Sequence, residues 1–431
     1  MTACSAPTAD HHERQHPLIS HQWFVGIDWG SQTHQVCVLT RDRRLVGERR
    51  VEHRGTSLAQ LAIWLLELAA GQPAQVAVAI EMPRGTLVEG LVERGFHVFA
   101  INPKQLDRFR DRHTVAGAKD DRRDAFVLAD SLRTDPQSFR QVQLDTPQIL
   151  LLRELSRAEE ALLEEFRRAT NQLRDQLHRF SPQLLQLCPA ADEAWLWDLL
   201  ALAPTPAHTA SLTEAQVRHV LKTHRIRRYR AQEVLEVMQA PAVPVAPGAT
   251  EAAHLHCTLL LSCLRVLAEQ LQRCAMHSEE LLTTLATAEE AARPSDVAIV
   301  RSLPGVGRKI TAWLFAEAAQ LLAERNAQVL RTYGGVAPIT HQSGKRRQVV
   351  RRRGCNPRLR YAFYHMARVA MRCDPTFASL YAALRARGQR HGRALRSLAD
   401  RLLRILIAML RDRTLYDPSR MCGREQEAVE P

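Results

Sequence analysis

The sequence lacks the marks of a fold stapled by metal or disulfides. Its nine cysteines form no C-x-x-C pair, so neither a zinc site nor a disulfide framework is expected. It also lacks the ~18 consecutive apolar residues a spanning helix needs, and the first twenty residues, MTACSAPTADHHERQHPLIS, hold no apolar stretch of a secretory leader. No basic amphipathic anchor or lipidation motif points to a membrane. The expectation is a cytoplasmic protein with no membrane partner.

Positive charge is what the chain has in excess. Lys and Arg number 59 against 46 Asp and Glu, a formal net charge of +13, which favours a polyanionic partner, nucleic acid before any other. With 431 residues and 45% hydrophobic content the chain can bury more than one core, and its length suggests roughly two or three domains.

Residues 1–20 read as a disordered tail. Structure begins at WFVGIDWGSQTHQVCVLT, where Phe24, Val25 and Ile27 lead to Asp28 and Val36, Val38 and Leu39 resume after a polar break: a hairpin of two buried strands. LAQLAIWLLELAA follows as a helix, QVAVAIEMP as a third strand ending in Glu81, GTLVEGLVERG as a helix closed by Gly95, and FHVFAINP as a fourth strand. The alternation predicts an α/β layer with a mixed sheet. After Pro147, Leu152, Leu155, Ala158, Leu162, Phe166, Ala169, Leu173 and Leu177 make a helical apolar stripe, and Leu260, Leu264, Leu267, Leu271 and Cys274 make a second. Two such stripes predict an antiparallel helix pair, with an intermolecular coiled coil as the other outlet. Between them residues 185–250 read as a helical insert with a Pro-rich joint, APAVPVAPGA.

Two features of the last part bear on nucleic acid. SLPGVGRKITAWLF sets Gly305 and Gly307 in a tight turn before an apolar helix, either an ordinary turn or a helix-hairpin-helix turn whose backbone N–H groups approach a phosphate. Further on, Lys345, Arg346, Arg347, Arg351, Arg352, Arg353, Arg358 and Arg360 crowd one tract almost without acids, the pattern of phosphate contact with salt-dependent affinity.

Against this basic background the stretch AGAKDDRRDA stands out, with Asp120, Asp121 and Asp124 among Lys119, Arg122 and Arg123. Asp121 and Asp124 are i, i+3 and Asp120 and Asp124 are i, i+4, so on a helix either pair projects from one face. Ordered with Asp28 and Glu81, these acids lie at strand ends and on the adjoining helix, where they can converge. Carboxylates so gathered need cations, and two Mg²⁺ ions about 4 Å apart would neutralise them and clamp the oxygens of a phosphodiester. Lys119, Arg122 and Arg123 would then steer the polyanion. GIDWGS alone also fits the phosphate loop of actin-like ATPases, while Trp29, His34 and His113 read as packing or hydrogen-bonding residues rather than ligands.

The segments GIDWGSQTHQVCVL, VAIEMPRG, VFAINPKQLDRFR, AGAKDDRRDA, LLRELSRAEEAL, LPGVG, GGVAPITHQSGK and GCNPRLRYAFYHMARVA, in that order, resemble the DEDD-type transposases of bacterial insertion sequences. The resemblance implies an RNase H-like (RuvC-like) catalytic domain over 21–146, a helical coiled-coil segment over 147–295 with its Pro-rich linker near 240–250, and a C-terminal transposase domain over 296–431. It implies that Asp28, Glu81, Asp121 and Asp124 are the metal-binding tetrad, preferring Asp121 over Asp120, and that Ser343 of HQSGK is a nucleophile forming a phosphoserine link to DNA in a composite site with the acids. It further implies a structured guide RNA beside double-stranded DNA, and a homodimer or homotetramer. Two rivals keep parts of this reading: a junction-resolving nuclease using water alone, and a nucleic-acid-binding protein whose acids are structural.

Overall fold

The computed structural model describes residues 21–113, 120–241, 243–246, 248–287, 293–343 and 346–419. The tail at 1–20 and two of the expected nucleic-acid contacts, Lys119 and Lys345, lie outside these residues, and so does Gly344. The chain divides into two compact units, 1–144 and 145–431.

In the first unit six strands form one sheet: β1 (Trp23–Asp28), β2 (Thr33–Thr40), β3 (Leu45–Glu52), β4 (Val76–Ile80), β5 (His97–Ala100) and β6 (Arg140–Gln141), in the order β3-β2-β1-β4-β5-β6. β1, β4 and β5 run parallel, and β2, β3 and β6 pair antiparallel with their neighbours. The sheet is mixed, as expected, but two strands escaped the sequence reading. β3 reads LVGERRVE and buries only Val51 well, because an edge strand needs no apolar face on both sides; β6 is two residues long. By contrast all five residues of β4, VAVAI, are buried, as a strand covered on both faces must be.

Helices supply the two covers. α1 (Gly55–Leu68) and α2 (Thr86–Glu93) pack Leu61, Leu65, Leu87 and Leu91 with Val25, Ile27, Val78 and Ile80. On the other face α3 (Pro103–His113) and α4 (Asp121–Thr134) pack Leu106, Leu128 and Leu132 with Phe24, Leu39, Ala77 and Phe99. α4 sits on β1 with no side chain between: a Cβ on Gly26 would fall 1.9 Å from the Ala125 carbonyl oxygen and 2.6 Å from the Ala129 nitrogen. That approach fixes the first turn of α4 beside the end of β1.

Among its described residues the second unit is helical apart from one hairpin. α5 (Pro147–Phe180) and α11 (Ala249–Thr287) are the two expected long helices. They pack on each other antiparallel, since Leu173 and Leu177 share a cluster with Cys257, Leu260 and Leu264, while Ile149 and Leu152 share another with Leu282. The predicted stripe fails at the middle of α5, where Ala158 is exposed and Ser156 and Glu159 are buried instead. There the helix faces Arg308, whose guanidinium holds Glu159 at 2.9 Å, so a buried ion pair replaces apolar contact. Between the long helices, α6 (Leu184–Leu187), α7 (Ala194–Leu202), α8 (Pro206–Thr209), α9 (Glu214–Thr223) and α10 (Ala231–Gln239) join the cluster of Leu173, Leu177 and Leu260 in one core around Trp195, Leu196 and Trp197.

A second core joins α12 (Asp296–Ser302), α13 (Arg308–Ala323), α14 (Ala327–Tyr333), α15 (Pro357–Cys373), α16 (Pro375–Ala386) and α17 (His391–Asp412) around Phe363, Met366, Leu402 and Leu406. β7 (Ile339–Ser343) and β8 (Arg346–Val350) form an antiparallel hairpin between α14 and α15. Among the described residues no helix is long and apolar enough to cross a membrane.

Candidate active site

Asp28 closes β1, and Ile27 lies opposite Ile80 in the parallel β1–β4 pair, so Asp28 and Glu81 leave the sheet at the same end. α4 brings Asp124 to that end from its first turn. Asp120 caps the helix, its carboxylate accepting the Arg122 N–H at 3.2 Å; this accounts for Asp120 without a metal and leaves Asp121 and Asp124 as the helical i, i+3 pair. Asp121 is exposed, whereas Asp124 is 2% exposed.

A buried carboxylate must be paired, and the partner of Asp124 is Arg110 of α3. Its Nε donates to Oδ1 at 2.8 Å and its Nη2 to Oδ2 at 3.0 Å, the bidentate fork that suits guanidinium to carboxylate. The same guanidinium lies 4.0 Å from Glu81 Oε2 and donates to Asp107 Oδ1 at 2.6 Å. Burial disfavours the Arg110 cation, and Asp124 and Asp107 more than offset this, so its pKa is raised. One cation therefore stands between two of the four expected acids, and the donor set accepts positive charge at the strand ends. The sequence reading missed Arg110; its only local signal was its place one helical turn from Asp107 in LDRFRDRH.

The other polar groups nearby have structural roles. His34 is fully buried; its Nδ1 accepts the Gly30 N–H at 3.4 Å and its Nε2 lies 2.9 Å from His53 Nδ1. Burial first, and His53 second, lower its pKa. It is thus the hydrogen-bonding residue expected. The His113 side chain lies outside what is described. Arg122 donates to Glu48 on β3, Nε to Oε2 at 3.0 Å, and Arg123 is exposed on the first turn of α4.

In the second unit Ser343 ends β7, exposed and paired in register with Arg346. Beside the hairpin is a cavity of about 760 Å³ lined by Ile339, His341, Val350, Arg351, Arg353 and Arg360. Burial and the neighbouring Arg351 and Arg393 lower the Arg396 pKa, a crowding of cations that a bound anion would relieve. Of the basic tract, Arg351 and Arg353 are exposed, Arg352 and Arg360 are half-buried, and Arg358 is tied inward to Glu160 at 2.7 Å. Arg346 and Arg347 lie on β8. Gly307 caps α13 with open space where a Cβ would stand, but Gly305 has a packing role: its φ is +84° and a Cβ would meet the Met366 carbonyl oxygen at 2.5 Å.

Among the described residues the three-residue group whose ligand atoms all lie within 4.8 Å is Cys188, Asp192 and Glu193 in the helical insert, a potential metal-coordinating cluster that the absence of C-x-x-C concealed. Glu193 already accepts from Trp195 Nε1 at 2.9 Å and from Arg228 at 2.5 Å, and burial raises the Cys188 pKa.

Comparison with known proteins places these features in a family. Residues 25–182 match the DEDD transposases of the IS110 type, described as "Transposase", and residues 297–382 match the "Transposase IS116/IS110/IS902 family". The chain is 32% identical over 412 residues, covering 92% of this chain and 96% of the relative, to the "Mini-circle putative transposase for IS117" of Streptomyces coelicolor. Over 209 residues it is 49% identical to the "Putative transposase y4uE" of Sinorhizobium fredii, a match spanning 48% of this chain and 58% of that one. Over 414 residues it is 28% identical to the "Insertion element IS116 uncharacterized 44.8 kDa protein" of Streptomyces clavuligerus, covering 92% and 96%. With both matched segments in their order and the relatives aligned nearly end to end, the chain belongs to the IS116/IS110/IS902 family of transposases, enzymes that act on DNA by phosphoryl transfer.

Proposed function

We propose that this transposase excises and inserts a bacterial mobile element with Ser343 as the nucleophile and with Asp28, Glu81, Asp121 and Asp124 holding Mg²⁺, two ions in the active complex. The observation that carries the carboxylate half is the Arg110 guanidinium seated against Asp124 and Glu81 at the ends of parallel strands. Mg²⁺ bound by these acids would supply Lewis-acid polarisation of a phosphoryl oxygen. The chain's own contribution is to hold the acids on strand ends and a packed helix turn, where Mg²⁺ would compete with Arg110 for the Asp124 oxygens. Ser343, exposed at the end of β7, attacks a phosphorus atom with its Oγ; the P–O bond to the leaving 3′ or 5′ oxygen breaks, that oxygen takes the electron pair and, through solvent, the proton that Oγ gives up, and a serine–phosphate ester forms. The reaction requires serine and acids to act on one phosphodiester. Arg351, Arg353 and Arg360, around the cavity toward the base of the hairpin, hold DNA phosphates, while Arg123 steers the DNA backbone; Arg122 is tied to Glu48. Guidance by an element-encoded RNA, and assembly as a dimer or tetramer, rest on the family resemblance.

The test is co-expression with the flanking element DNA, so that any guide RNA is made, followed by denaturing gels with and without Mg²⁺. A Mg²⁺-dependent covalent protein–DNA adduct is expected in wild type and absent in Ser343→Ala. Cleavage that persists in Ser343→Ala without an adduct would replace the serine mechanism with metal-assisted hydrolysis.

A further inference from the structure

One helix face in the second unit has a composition that the catalytic reading leaves unused. α15 buries Leu359, Ala362, Phe363, Met366 and Ala370 against the C-terminal core. Tyr361, Tyr364, His365 and Arg368 recur at steps of three and four on its other side. Tyr361 is 45% exposed and Tyr364 36%. Their rings are held in place by one another: Tyr361 packs edge-on against Trp313 of α13 with centroids 5.3 Å apart, His365 lies 4.1 Å from Tyr361, and Tyr364 meets His365 at 5.4 Å. Lys309 sits 5.2 Å over the Trp313 ring.

Cations flank this ring cluster. Besides burial, Arg368, Arg167 and Lys309 lower the His365 pKa, which keeps the imidazole a neutral flat ring. Carboxylates on the adjoining helices are committed to other cations: Glu160 to Arg358, Glu317 to Arg157 at 3.6 Å, and Glu159 to Arg308 and Lys309. Exposed rings on a rigid helix with cations alongside fit a strand that offers base faces and phosphates together. A duplex offers only base edges and phosphates, whereas each unpaired base offers a π-face, and stacking on aromatic side chains is the dominant contact with single strands. The cations would also weigh against an apolar protein partner.

We infer that Tyr361 and Tyr364 form a stacking platform for unpaired bases of a DNA strand, with Arg167 and Arg368 tracking its phosphates. That the strand is DNA rests on the transposase reading; the platform itself does not depend on Ser343 or on metal.

The experiment uses full-length Ser343→Ala protein in EDTA, so that no cutting occurs, and follows fluorescence anisotropy of a labelled oligothymidylate, the matching oligouridylate and a duplex of the same length. Tyr361→Ala/Tyr364→Ala should bind oligothymidylate about tenfold or more weakly, given the worth of one stacked base, with duplex binding changed less than threefold. Tyr361→Phe/Tyr364→Phe should bind as the parent does, because the ring and not the hydroxyl is used. If the alanine pair disturbs folding, Tyr364→Ser alone serves as the second variant, with an expected loss of threefold or more. Unchanged oligothymidylate binding, or an equal fall for single strand and duplex, would overturn the platform. Tenfold preference for oligouridylate would overturn DNA as its ligand, and a smaller particle mass by light scattering in the alanine variant would make the face a contact between copies of the chain.

Discussion

At the scale of single residues, Arg110 is the group on which the candidate catalytic end of the first unit depends. It holds a carboxylate that is 2% exposed, and removing one partner of such a pair strands the other charge out of water, at a cost of about 3–5 kcal/mol. Arg110→Ala should therefore lower the thermal midpoint markedly, and Mg²⁺ or Mn²⁺ should restore part of the loss, more than it raises the midpoint of wild type. Differential scanning fluorimetry with and without the cation reads both quantities; a variant that cation does not stabilise would argue against the acids as ligands. The placement of Asp28 and Glu81 at strand ends and of Asp121 and Asp124 on one helix turn was legible in the sequence, because strand ends and i, i+3 spacing are local patterns. Arg110 was not, since its partner lies 14 residues away on another helix and no periodicity marks such a pair. For the same reason Ser343 was reached only by resemblance: a Ser-Gly pair carries no local mark of chemistry.

At the scale of elements, the site is positioned by a helix lying directly on a strand. Gly26→Ala would drive a methyl group into the α4 backbone, whose carbonyl oxygen at Ala125 would be 1.9 Å away. Backbone cannot yield as a flexible side chain can, so the variant should lose the native packing of the first unit, seen as increased proteolysis within 21–144 and a cost of several kcal/mol. Native-like resistance to protease would mean that α4 can shift without loss. The strands that pack on both faces were readable because burial leaves runs such as VAVAI. β3 was not readable, since Arg49, Arg50 and Glu52 face solvent at a sheet edge and no hydrophobic alternation survives. The apolar stripe of α5 was legible at both ends and misread at Ala158, where Glu159 turns inward to Arg308 and Lys309; polarity alone cannot announce that a charge will be buried with a partner.

At the scale of the whole molecule, the excess of 13 positive charges should appear as strongly salt-dependent DNA affinity. Each phosphate neutralised contributes a slope of about −0.9 in log affinity against log salt. Replacing Arg351 and Arg353 together by Gln should therefore flatten that slope by about two, measured by anisotropy of a labelled duplex across a salt series. An unchanged slope would remove the cavity rim from the phosphate contacts. Composition disclosed the class of partner, but it could not say which cations are spent internally, as Arg358 is on Glu160.

The two long helices have a mechanical meaning. α5 belongs to the core of the insert through Leu173 and Leu177 and to the C-terminal core through Ile149 and Leu152, and α11 runs alongside it. From Leu152 to Leu177 is about 37 Å at 1.5 Å per residue. Doubled by its partner, α5 resists bending, so the two cores are the jaws of a caliper with a fixed gape. The distance between the cores is thereby a length written into a helix, and only an insertion of whole turns would change it without rotating one core about the helix axis relative to the other.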